Sequence, residues 1–263
     1  MNAKNFIIIL SPVLICIIVF LLPSDWQNEL ALNSLHLNLW GWFTNVLVHY
    51  NLQHLVNNLA IYILAIISGY LILPVQGKKE FSKYFFILIF VSILFIFFIE
   101  TLFRIFHFIP NVLNQRGFSG ISAASLGFLC FSLSRRFQFR FGNQNEVGIL
   151  LTFIYFLFLP SLALIVWNLS KVFSILVFLL WLGLILLVIW NNRKAKSTDK
   201  IAKLNWAEYI LFGIIMFILF CGAYLLVPPI IKVNDPIVDI FAHLLGFISG
   251  LTTAFWFFAL KNY

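Results

Sequence analysis

The chain has 263 residues and a net charge of +8, with 62% hydrophobic residues, 10% charged residues and a mean hydropathy of +1.02. Soluble domains carry about 25% charged residues, so this composition excludes a separate soluble domain and predicts one all-α, polytopic membrane domain over residues 1–263, with the lipid bilayer as its solvent. The basic residues fall in short clusters between apolar runs, which orients a membrane protein and argues against nucleic acid as a partner. Cys16, Cys130 and Cys221 lie inside apolar runs without metal-ligand spacing, so no disulfide, metal or other cofactor is expected.

The first apolar run, 6–22, follows Lys4 and leads into Pro23-Ser24-Asp25-Trp26 without a small-x-small cleavage site, which reads as a retained first helix. A polar and aromatic segment, 23–53, carries Trp26, Trp40 and Trp42, residues suited to a membrane interface. Further spans are predicted at 54–73, 84–103, 119–133, 148–167, 172–190, 209–227 and 237–260, making about eight. Asn168-Leu169-Ser170-Lys171 alone joins two of them, so 148–190 reads as a tight hairpin. With a cytoplasmic N-terminus, thirteen of the 17 lysines and arginines fall on inner segments, leaving Arg104, Arg116, Lys171 and Lys232 outside. This positive-inside bias supports an even number of spans and cytoplasmic termini in a multi-pass protein of the cell membrane.

Three stretches bring polar groups into apolar helices. In Arg116-Gly117-Phe118-Ser119-Gly120-Ile121-Ser122-Ala123-Ala124-Ser125-Leu126-Gly127, small residues at Gly120, Ala124 and Gly127 let another helix come close. Alone, this is a packing motif. His54 and Asn58 are four apart and share one face of the second helix, a costly pairing inside a membrane. Ala242, Gly246, Gly250 and Ala254 recur every four residues with His243 at the edge of the stripe, where an isolated histidine reads equally as a structural bond to a neighbouring helix.

Span parity makes the second, fourth and eighth helices run in the same direction, so their polar residues gather toward the outer leaflet. The span 119–133 covers only roughly 22 Å of a hydrocarbon core of about 30 Å, which recesses Ser119 below the outer surface. His243 stands roughly 9 Å along its own helix, counted from Ile237. The loop 106–118 then dips to membrane depth, where irregular backbone requires a wet cavity or burial in protein.

Segments 40–58, 117–127 and 242–250 together resemble the rhomboid family of intramembrane serine proteases. The resemblance implies a six-helix core, with the 148–190 hairpin as an insertion, and a dyad of Ser119 as nucleophile and His243 as general base. It implies oxyanion stabilisation by His54, Asn58 and the Ser119 backbone N–H. Gly117 and Gly120 would permit close approach, and His49 and Gly246 would be supporting residues. Transmembrane proteins would be the substrates, 209–227 the gate helix and 227–236 the outer lid. The chain departs from the family pattern at Gly41, where an arginine often anchors the first outer loop, and at Ala123, where an aromatic often stacks on the histidine. Asp239 would orient His243 or answer the helix dipole. Two other readings stand: a catalytically inactive rhomboid-like protein that binds transmembrane clients, and a transporter with His54, Asn58, Glu100 and His243 along a path. Glu100 is four residues from Arg104, however, and suits an ion pair with it.

Overall fold

A computed structural model describes residues 3–33, 40–73, 75–105, 114–141, most of 210–222, and 240–259. The described chain is almost entirely helical. It comprises α1 (Ala3–Phe20), α2 (Ser24–Leu30), the strand β1 (Leu32–Asn33), α3 (Gly41–Thr44), a 3-10 turn (Asn45–Leu47), α4 (Leu52–Ile72), α5 (Val75–Ile105), β2 (Asn114–Gln115), α6 (Ser119–Phe141) and α7 (Ile240–Ala259). Among the described residues three helices are long and apolar enough to cross a membrane: α1, α4 and the Gly77–Ile99 part of α5. Large apolar side chains on the outer faces of α1 and α5, such as Ile7, Leu14, Ile18, Phe86, Phe90 and Phe98, are exposed, a surface suited to lipid rather than water.

α6 stands at the centre. Every residue from 120 to 134 is buried, which explains why a segment rich in glycine and serine holds an interior position. Its neighbours, not lipid, are its solvent. Ser122 Oγ lies 2.8 Å from Asn58 O on α4, and Gly69 of α4 meets Phe128 farther along, where an added Cβ would stand 2.6 Å from the ring. α4 and α6 are therefore parallel. On the other side a Cβ on Gly246 would lie 2.1 Å from Gly120 O, and one on Gly250 would lie 1.9 Å from Ala124 O. α6 and α7 are thus parallel too, in backbone contact along the small-residue stripes. α1 runs the other way: Tyr62 Oη donates to Ile9 O at 2.9 Å, and Asn5 Nδ2 reaches Tyr70 Oη at 3.4 Å. α5 opposes α7, with Ser249 Oγ 2.9 Å from Ser92 Oγ and the Tyr84 and Phe258 rings 5.0 Å apart at the far end.

Two helices exceed their predicted spans. α6 has 23 residues and reaches Phe141, not Leu133, and α5 begins at Val75, not Tyr84. Arginine, lysine, glutamate and glutamine are good helix formers, so the backbone stays helical past the point where apolar character ends. The expected recession of Ser119 can then no longer rest on a short helix; the first charge of α6, Arg135, stands roughly 24 Å along it at about 1.5 Å per residue. Of the 209–227 span, the described residues within 210–222 are helical and bury Ile215 and Leu219. The 148–190 hairpin, the 227–236 lid and Asp239 lie outside the described residues.

The α6–α7 contact predicts a sharp response to one methyl group. Gly250→Ala places Cβ against a backbone carbonyl that cannot rotate away, and is expected to destabilise the fold by about 2 kcal/mol or more. Gly213→Ala, with no described atom within 4 Å of its Cβ, is expected to be neutral or stabilising by up to about 1 kcal/mol. Unfolding equilibria of both variants in detergent micelles check the contrast.

Candidate functional site

The loop entering α6 is held by backbone and side-chain bonds. Gly117 N–H donates to Asn45 O at 3.0 Å, and Phe118 N–H donates to His49 Nε2 at 3.4 Å. His49 Nδ1 lies 3.2 Å from Leu47 O, so one neutral tautomer, protonated at Nδ1, satisfies both contacts. Gly117 has φ +135°, a conformation that a side chain would strain. There is also no room for one, because a Cβ there would stand 2.8 Å from His54 Cε1, 3.3 Å from His54 Nε2 and 3.7 Å from Ser119 Oγ. His54 and Ser119 therefore flank the same glycine.

α6 starts at Ser119, with the Phe118 carbonyl accepting Ser122 N–H at 3.0 Å. The first N–H groups of a helix lack intrahelical acceptors, so the Ser119 N–H has none within α6. Ser122 then fastens this turn to α4 through the carbonyl of Asn58. Asn58 is buried and its Nδ2 has no hydrogen-bond partner among the described residues, as is true of His54 Nδ1. α4 itself begins two residues before His54 and is capped by Asn51, whose Oδ1 accepts His54 N–H at 2.8 Å.

His243 is buried on α7. Because Gly246 meets Gly120, the residue one turn earlier on α7 is level with the loop one turn earlier on the α6 side, at Gly117. Gly120 also approaches Ala242, whose carbonyl would lie 3.5 Å from an added Cβ. The predicted residues His49, His54, Asn58, Gly117, Ser119, Gly120, His243 and Gly246 thus collect at one end of three parallel helices. Ala123 is buried, and the side chains of Glu100 and Arg104 lie outside the described residues.

Asn45, Asn51, Ser122 and Arg116 lie in the segments that the sequence singles out, but no role in this region was assigned to them from the sequence. Asn51 carried a legible signal, an N-cap residue at the mouth of an apolar run. The role of the Asn45 carbonyl carried none, since any residue supplies one.

Burial holds His49 well below the usual imidazole range, at about 4, with the nearby His54 adding to the effect and the Leu47 carbonyl opposing it. An unfolded histidine titrates near 6.5, so between these values the unfolded chain binds the extra proton and stability rises with pH. The contribution of His49 is complete above about pH 6.5 and is lost as the pH falls toward about 4. Unfolding midpoints measured across that window are expected to drop as the pH is lowered in the wild type and to drop less in His49→Gln, which keeps an acceptor without the titration. Gly117→Ala is expected to cost about 1–3 kcal/mol through backbone strain alone, with the same measurement as its check. No family model, curated protein or solved structure matches the chain.

Proposed function

We propose that this protein is an intramembrane serine endopeptidase with a rhomboid-like six-helix core, cleaving transmembrane proteins near the outer leaflet. The observation that carries this reading is the convergence of His54, Ser119 and the His243 turn at one end of three parallel helices, with Gly117 between His54 and Ser119. In the proposed reaction His243 accepts the Ser119 hydroxyl proton as Oγ attacks a substrate carbonyl carbon. The Ser119 N–H, His54 and Asn58 stabilise the oxyanion. Collapse breaks the C–N bond, His243 protonates the leaving amine, and water then hydrolyses the acyl ester.

Support comes from the unsatisfied polar atoms of the region. Asn45 Oδ1, His54 Nδ1, Asn58 Nδ2 and Arg116 Nε are all buried without hydrogen-bond partners among the described residues; Asn45, His54 and Arg116 belong to or contact the loop entering α6, and Asn58 contacts the first turn of α6. Buried polar groups are ordinarily paired, and clusters of exceptions mark sites that take water or a ligand. Hydrolysis inside a membrane requires both.

In proteoliposomes with a labelled single-span substrate, Ser119→Ala and His243→Ala are each expected to lower cleavage by roughly 10³-fold or more, and Asn58→Ala by about 10²-fold. Cleavage that survives the first two substitutions sinks the mechanism. A fluorophosphonate probe separates an active serine from the alternative of a client-binding relative, which would capture transmembrane segments without labelling at Ser119.

A further inference from the structure

The outer segment 23–53 contains no lysine or arginine, yet a cation is bonded into it. Arg116 Nη2 donates to Asn28 Oδ1 on α2, and the same guanidinium lies over the Tyr50 ring, 5.4 Å from its centroid. Tyr50 in turn stacks beside the His54 imidazole, with centroids 6.1 Å apart and planes at 27°, and His54 stands edge-on to His49 at 5.3 Å. Arg116 directly follows β2, whose Gln115 is paired with Leu32 of β1, so backbone and side chain fasten the same two stretches together. It also precedes Gly117, the residue that His54 and Ser119 flank.

We propose that Arg116 is a positioning residue: it clamps α2 and Tyr50 onto the loop that carries Ser119, and through Tyr50 it holds the His54 ring in place against Gly117. Its catalytic consequence rests on the serine endopeptidase reading above. The chemistry suits arginine. A planar guanidinium can donate along its edge to an amide oxygen while its face covers an aromatic ring, which an ammonium point charge cannot do at once. Because Arg116 touches neither the nucleophile nor its base in any described contact, it acts on the geometry of His54 rather than on the reacting atoms.

The test uses the full chain in bicelles and reads hydrogen exchange and turnover together. Arg116→Gln is expected to raise amide exchange in peptides covering 50–54 and 117–119 by about fivefold or more. It is expected to lower kcat on a transmembrane substrate by about five- to tenfold, with KM within about twofold. Arg116→Lys, which keeps the charge over Tyr50, is expected to recover part of both effects. Exchange unchanged in Arg116→Gln overturns the clamp. If the wild type neither cleaves nor labels with a fluorophosphonate, the endopeptidase reading falls alone, and exchange still decides the clamp. Should Arg116→Gln fail to fold, Asn28→Ala and Tyr50→Leu carry the decision by the same exchange readout.

Discussion

The backbone contact between α6 and α7 is the constraint on which the rest of the molecule depends. Gly120 and Ala124 present carbonyls where Gly246 and Gly250 have no side chain, so the two helices meet at a distance that no larger residue allows. Lipid tails supply little hydrophobic drive between helices, and close packing must provide the association. That closeness also fixes a register. One turn before the Gly120–Gly246 contact lie the loop into α6 on one side and His243 on the other, so the packing that stabilises the bundle also sets which polar groups can face each other.

Around this axis the connections are few and directional. Interhelical hydrogen bonds in membranes are individually modest, about 0.6 kcal/mol on average, and the bonds from Ser122 to Asn58, Ser249 to Ser92 and Tyr62 to Ile9 serve to fix register and rotation more than to supply stability. Aromatic contacts work at the opposite end, where Phe81, Tyr84, Phe128 and Phe258 form a cluster with ring centroids 4.9–5.9 Å apart in its closest pairs. One end of the bundle is therefore sealed by rings. The other is built from polar backbone, histidines and a glycine of left-handed conformation.

That polar end is braced from several directions. The Asn45 carbonyl, the His49 ring and the β1–β2 pair each bind a different residue between 114 and 118. Buried backbone polar groups need partners within the protein, and these bonds supply them for Gly117 and Phe118. Asn45, His54, Asn58 and Arg116, each with a buried polar atom unpartnered among the described residues, lie on this loop or contact it or the first turn of α6.

The amino-acid sequence by itself determined the helical membrane character, the small-residue stripes, and the common direction of α4, α6 and α7. Hydropathy and four-residue periodicity are local properties, and each crossing of a bilayer reverses the chain. It did not determine where helices end: apolar character marks the membrane boundary, whereas backbone hydrogen bonding continues into Arg135 and Lys78, so α6 and α5 overran their predicted limits. Nor could it show that His49 meets Phe118 across 69 residues, or that Arg116 reaches Asn28 across 88. Such pairings have no periodicity to betray them. They exist because the close α6–α7 contact, and the loop geometry it permits, bring distant segments to one place, and only the tertiary structure decided that.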